Sequence, residues 1–211
     1  MHLSIVIPSY NEEARIVRSL DRIEAFLLAN DCDAEIVVVD NSEDNTLQLL
    51  QRFQEKTKVP VRIISYRPNK GKAHAVREGI LAAKGDFILF TDADLSCPIE
   101  EVDGFLPILE RDEADVVIAS RHLPGSEVTM PTMRQVLSRG FNLLARALIL
   151  PGIRDTQCGF KCFRRSAALA IFADEPTSGL AFDVEILYVA RRLGHRIAEM
   201  PVKWDYSRGS K

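Results

Sequence analysis

Cysteine is scarce in this chain. Four residues in 211 (Cys32, Cys97, Cys158, Cys162) are too few and too scattered to frame a domain of this size with disulfides, so ordinary buried thiols in a reducing compartment are expected. Cys158 and Cys162 have no second Cys or His pair near them, which argues against a zinc site. Long apolar runs are also missing: the nearest approach, Phe141 to Leu150, is too short to span a bilayer and carries Arg146. No basic leader precedes the strand-like Leu3 to Ile7, so a cytoplasmic protein is expected. An excess of positive charge is absent as well. With 27 Lys and Arg against 30 Asp and Glu, a net charge of -3 provides no broad phosphate-tracking surface, and nucleic acid is excluded as a partner.

What is present is a globular composition, 46% apolar and 27% charged, long enough for one core over residues 1–211. Apolar runs at 3–7, 35–39, 61–65, 87–91 and 115–119 alternate with helical periodicity at 12–29, 43–57, 70–83 and 99–110. This alternation predicts an α/β fold with a mostly parallel sheet flanked by helices. Asn11, Ser42 and Asn69 are the expected helix N-caps. After Ala119 the pattern changes, with a loop through Pro124, Gly125 and Pro131, a helix over 132–149, a helix over 181–193 and a strand over 196–202. That strand is expected to join the sheet in another direction. The chain thus divides into residues 1–119 and 120–211.

Acidic residues close two of the apolar runs. Asp40 follows Ile36-Val37-Val38-Val39, and Asp92-Ala93-Asp94 follows Phe87-Ile88-Leu89-Phe90-Thr91. Parallel strands deliver their C-terminal residues to one sheet edge, so these carboxylates are expected to share a cleft. An Asp-x-Asp pair offers hard oxygen ligands for Mg²⁺ or Mn²⁺, and such a cation usually serves a phosphate-bearing substrate. Pro8-Ser9-Tyr10-Asn11-Glu12 reaches the same edge, where a base can stack on Tyr10 while Asp40 accepts its proton.

Asn69-Lys70-Gly71-Lys72-Ala73 resembles a phosphate loop only superficially, since Tyr66 stands where that motif needs Gly and Ala73 where it needs a hydroxyl. Lys72 near a helix start still favours an anion. Arg121 after the fifth run and Arg134 in the later helix carry the fork geometry that suits phosphate. Asp155-Thr156-Gln157-Cys158-Gly159-Phe160-Lys161 reads as a ligand-facing turn, and Asp183 and Glu185 open a helix on different faces, so at most one faces the cleft. In helix 132–149, Val136, Leu137, Phe141, Leu144 and Leu148 share a stripe that packs into the core or rests on a membrane surface.

Val6-Ile7-Pro8-Ser9-Tyr10-Asn11-Glu12-Glu13, the Asp40 turn, Asn69-Lys70-Gly71-Lys72, Asp92-Ala93-Asp94, Ser120-Arg121, the 155–161 segment and Phe182-Asp183-Val184-Glu185 together resemble family 2 glycosyltransferases of the GT-A fold. The 155–161 and 182–187 segments, Pro201-Val202-Lys203-Trp204 and the closing Gly209-Ser210-Lys211 are most similar to the dolichyl-phosphate β-glucosyltransferases and related polyprenyl-phosphate mannose synthases. The resemblance implies a nucleotide-sugar donor, UDP-glucose first, held by Pro8, Tyr10, Asn11, Glu12, Asp40 and Lys72, with Asp92 and Asp94 carrying Mg²⁺ or Mn²⁺ on the diphosphate. It implies that Arg121, Arg134, Arg208 and Lys211 handle phosphates, and that Asp155 and Asp183 belong to the catalytic region. Asp40-Asn41-Ser42 is one residue shorter than the family's usual Asp-Asp-Gly-Ser turn, which bears on nucleobase preference.

A polyprenyl-phosphate acceptor, reached by peripheral membrane contact, needs no general base because a phosphate monoester is already mostly dianionic at neutral pH. Its oxygen is expected to attack the anomeric carbon in line, with inversion. The alternatives are a GDP-mannose donor, a soluble acceptor with Asp183 as base, and a nucleotide-sugar-binding module without turnover.

Overall fold

The computed structural model describes residues 2–131, 133, 140–143, 145, 146, 148–176, 179 and 181–206. The five apolar runs are strands: β1 (Leu3–Ser9), β2 (Ala34–Asp40), β3 (Val61–Ser65), β4 (Phe87–Thr91) and β5 (Val116–Ser120). Between them lie α1 (Ile16–Ala29), α2 (Thr46–Gln54), α3 (Lys72–Ala82) and α4 (Val102–Glu110). The later part contributes β6 (Glu127–Thr129), β7 (Phe160–Arg164), α5 (Arg165–Ile171), α6 (Phe182–Arg192), β8 (Ile197–Pro201) and β9 (Lys203–Asp205). Residues 133, 140–143, 145, 146 and 148 are helical, within the helix predicted over 132–149.

Seven strands form one sheet in the order β3-β2-β1-β4-β7-β5-β8, and β6 and β9 make a separate parallel pair. The β3-β2-β1-β4 half has doubly wound order, with Ser9 opposite Asp40 in the β1–β2 register. Tyr10, Asp40 and the residues after Thr91 therefore leave the sheet at one edge. Against expectation, β8 runs parallel to β5, with Val117 opposite Ala198. The antiparallel member is β7, inserted between β4 and β5 with Cys162 opposite both Leu89 and Val117.

Side-chain alternation sends Ile5, Ile7, Ile36, Val38, Leu89, Phe160 and Cys162 to the face covered by α1, α2 and α4. Val6, Val37, Val39, Ile88, Phe90 and Phe163 go to the face covered by α3, α5 and α6. Both faces are buried, which is why the strands read as continuous apolar runs. Helix α3 lies so close to the sheet that a Cβ on Gly79 would stand 2.4 Å from Val6 Cγ1.

The N-caps fall at Arg15, Asn45 and Gly71 instead of Asn11, Ser42 and Asn69. Asn69 is engaged inside its own turn, whereas Asn11 and Ser42 tie the turn after β1 to the turn after β2. Ser42 Oγ accepts the Asn11 amide at 2.8 Å, Asn11 Oδ1 accepts the Glu43 amide at 2.8 Å, and Asn69 Oδ1 accepts the Gly71 amide at 2.7 Å. No helix among the described residues is long and apolar enough to cross a membrane.

Candidate active site

A cavity of about 250 Å³ opens at the C-terminal edge of β1, β2 and β4. Of the residues singled out from sequence, Pro8, Tyr10, Glu12, Lys72, Asp92 and Asp94 line it. Asn11 and Asp40 sit behind the wall. Asp40 is buried and accepts the Ser42 hydroxyl at 2.6 Å, and the same Ser42 oxygen receives the Asn11 amide, so Asp40 fixes the turn that carries Tyr10. Asn41 and Asn69 complete the wall, joined side chain to side chain at 2.6 Å.

On the β4 side, Lys72 Nζ lies 2.6 Å from Asp92 Oδ1 and 5.2 Å from the centre of the Phe90 ring. Burial works against the ammonium charge, but the carboxylates of Asp92 and Asp183 more than offset it and raise the Lys72 pKa. Asp94 Oδ1 accepts the Ser96 amide at 3.0 Å. Gly159 presses against Asp92 from the other side: a Cβ there would meet Asp92 Oδ2 at 2.1 Å. The 155–161 segment thus supplies the seat of Asp92 in the Asp-x-Asp turn.

That segment also holds two buried ion pairs. Asp155, fully buried, accepts Arg121 Nε at 2.7 Å and Nη2 at 2.9 Å, together with the Arg121 amide at 3.0 Å. Burial pushes the Asp155 carboxyl up, but the Arg121 hydrogen bonds and charge more than offset this and hold it below the usual carboxylate range. The Arg121 guanidinium lies 5.4 Å from the Trp204 ring centre. Lys161, fully buried on β7, donates to Asp183 Oδ1 at the start of α6 and to the Cys158 carbonyl, with the Phe90 ring 5.8 Å away. Asp183 also raises the pKa values of Lys72 and Arg121. Its helix neighbour Glu185 lines a separate apolar groove, in keeping with different faces for the two acids.

The sequence places Lys161 at the end of a ligand-facing turn over 155–161, whereas Phe160 and Lys161 belong to β7 and the lysine is the buried partner of Asp183, a pairing that no local pattern signals. Arg134, Arg208 and Lys211 lie outside the described residues. Of the predicted stripe, Phe141 is half-buried but Leu148 is 78% exposed, so this helix does not bury the whole stripe in the core. Among the described residues all four cysteines are free thiols, and burial pushes Cys158 up to about 12.

The Glycosyl transferase family 2 model matches residues 4–172. A dolichyl-phosphate β-glucosyltransferase of Saccharomyces cerevisiae is 39% identical over 228 residues, covering 99% of this chain and 68% of its own. The enzyme of that name from Dictyostelium discoideum is 35% identical over 224 residues, with 100% and 68% covered. Among solved structures, glucosyl-3-phosphoglycerate synthase of Mycobacterium tuberculosis, in complex with Mn²⁺, UDP and glucosyl-3-phosphoglycerate, superposes with a TM-score of 0.74 at 20% identity. That match covers 100% of this chain and 73% of the other. A cleft edged by an Asp-x-Asp turn, in a sheet of this order and in a chain matched along its length, has one consistent assignment: the chain belongs to glycosyltransferase family 2 and is a glycosyltransferase of the GT-A fold.

Proposed function

We propose that this glycosyltransferase moves glucose from UDP-glucose to the phosphate of a dolichyl or other polyprenyl phosphate at the cytoplasmic face of a membrane. The names of the yeast and Dictyostelium relatives support the donor sugar and acceptor class. The observation that carries the reaction type is that Asp155 and Asp183 are each held by a buried or largely buried cation, Arg121 and Lys161. Held below the usual carboxylate range by Arg121, Asp155 is a poor proton acceptor, and the Lys161 ammonium occupies Asp183 Oδ1. A nucleophile that arrives already ionised needs none, and a phosphate monoester with a second pKa of about 6 is mostly dianionic at pH 7.

Residues 1–119 then bind the donor, with Tyr10 against the base, Asp40 holding the Tyr10 turn and Lys72 near the diphosphate. Asp92 and Asp94 fit a divalent cation: they are hard oxygen donors on one cavity wall, and Mg²⁺ or Mn²⁺ commonly takes one or two carboxylates and completes its shell with substrate phosphate and water. When bound, that cation supplies Lewis-acid stabilisation of the departing diphosphate. Residues 120–211 receive the acceptor. Asp155 uses two of the Arg121 guanidinium donors, and those that remain are preorganised to orient the acceptor phosphate, with Arg134, Arg208 and Lys211 contributing further positive charge. In-line attack on the anomeric carbon breaks its bond to the UDP oxygen and converts an α-linked donor into a β-linked lipid-phosphate glucose.

The test is recovery of label in the organic phase after incubating the protein with labelled UDP-glucose, a polyprenyl phosphate and Mg²⁺, with parallel GDP-mannose and EDTA reactions. Metal-dependent label from UDP-glucose is expected. Label from GDP-mannose alone, or transfer only to a soluble sugar, would overturn the reading.

A further inference from the structure

Asn142, on the helix predicted over 132–149, is buried, and both ends of its side-chain amide are engaged. Thr156 decides which end is which. Its backbone N–H can only donate, and it lies 2.9 Å from Asn142 Oδ1, which also accepts the Thr156 hydroxyl at 2.9 Å. The NH2 group therefore faces the other two partners, Asp155 Oδ1 and His122 Nε2, each at 3.3 Å.

One of these partners is the seat of Arg121. Asp155 Oδ1 accepts Asn142 Nδ2, Arg121 Nη2 at 2.9 Å and the Gln157 amide at 3.2 Å, while Oδ2 accepts Arg121 Nε at 2.7 Å and the Arg121 amide at 3.0 Å. Asn142 thus braces the carboxylate that fixes the direction of the guanidinium. The other partner is an imidazole. An amide NH2 group has hydrogens to give and accepts none, so the ring nitrogen it faces is unprotonated, and His122 is neutral with its proton on Nδ1. Arg146 and Arg154 line the same cavity as His122 and Asn142, and their charge opposes a second proton on the ring. Because both acceptors share one NH2 group, a proton gained at His122 Nε2 would set donor against donor and loosen the brace on Asp155.

We propose that Asn142 is a positioning residue for the acceptor phosphate, seating Arg121 through Asp155 and holding His122 as the neutral Nδ1–H tautomer. The proposal rests on the reading of Arg121 as the group that orients that phosphate. Isotope-edited histidine NMR of the full chain at neutral pH, with the His122 signal identified by its loss in His122→Gln, reads the tautomer; wild type should show Nε2 without a proton. Asn142→Asp is nearly isosteric and replaces the donor by an acceptor, so it should place a proton on His122 Nε2. The same variant should lower kcat/KM for a polyprenyl phosphate on the order of 10²-fold, the cost of displacing a positioning group by about 1 Å, with KM for UDP-glucose unchanged. His122→Gln keeps an acceptor toward Asn142 and should retain the acceptor KM, whereas His122→Lys offers only donors and should raise it. The wild-type tautomer and the two His122 variants test the proposal independently of how well Asn142→Asp folds.

A proton on Nε2 in wild type, unchanged acceptor kinetics in Asn142→Asp, equal losses toward donor and acceptor, or identical behaviour of His122→Gln and His122→Lys would overturn the proposal. The expected tautomer in a wild type that shows no transfer to polyprenyl phosphate would overturn the acceptor reading, and with it the positioning role, while leaving the bonding of His122, Asn142 and Asp155 in place.

Discussion

Replacing Gly159 by Ala probes the contact that joins the 155–161 segment to the Asp-x-Asp turn. An ideal Cβ at Gly159 lies 2.1 Å from Asp92 Oδ2 and 2.6 Å from its Cγ, whereas ordinary contact begins at 3.4 Å. The carboxylate must therefore retreat by about 1.3 Å or the loop must lift by as much. Asp92 cannot retreat without cost, because its other oxygen is 2.6 Å from Lys72 Nζ. A displacement of about 1 Å in a positioning group can cost on the order of 10²-fold in rate. We expect Gly159→Ala to lower kcat/KM for UDP-glucose by about that factor and to raise the Mn²⁺ concentration needed for half-maximal rate, with the far-ultraviolet circular dichroism unchanged. The assay is initial-rate transfer over a matrix of metal and donor concentrations. If the substitution acts through Asp92, Asp92→Ala/Gly159→Ala should be no worse than Asp92→Ala alone. Wild-type kcat/KM and metal response in Gly159→Ala would refute the reasoning.

Two further perturbations address the buried ion pairs. Asp155→Asn leaves the Arg121 guanidinium buried without its counter-charge and should lower unfolding free energy by about 3–5 kcal/mol at pH 7. Because the folded Asp155 pKa is depressed below its unfolded value, this contribution is complete above about pH 4–5 and fades as pH falls through the folded pKa. Urea unfolding at neutral and acid pH should show the gap between variant and wild type narrowing; a constant gap would count against the assignment. Lys161→Met should destabilise by a similar amount, about 3–5 kcal/mol, by stranding Asp183. Adding Asp183→Asn should recover a large part of that loss, and simple additivity of the two substitutions would show that the pair is not coupled.

Much of the fold was legible because both sheet faces are covered. Ile36 to Val39 and Phe87 to Phe90 are fully or almost fully buried, so every residue had to be apolar and the runs ended visibly at Asp40 and Asp92. The same property concealed β7. Phe160-Lys161-Cys162-Phe163-Arg164 carries two cations, one of which is buried against an aspartate 22 residues away, a pairing that no local period encodes. The direction of β8 was misjudged because the pattern of an edge strand does not specify its polarity. Turn chemistry misled at the helix starts: Asn11, Ser42 and Asn69 have capping side chains, but Asn11, at φ 56, folds the chain back on itself before α1 begins. The wall of the cavity at the C-terminal sheet edge was readable from strand ends. That Asp40 holds the Tyr10 turn through Ser42 and that Gly159 makes room for Asp92 depend on contacts between segments distant in sequence, which no local pattern encodes.

The central claim is that an ionised acceptor attacks without a side-chain base, and the pH dependence of kcat/KM for a polyprenyl phosphate in wild type and Asp183→Asn tests it most directly. The account predicts that both rise to a plateau with an apparent pKa of about 6, set by the acceptor's second ionisation, and that the variant stays within about tenfold of wild type. A loss of about 10²–10⁴-fold, the usual effect of removing a general base, with folding and donor binding intact, would contradict it.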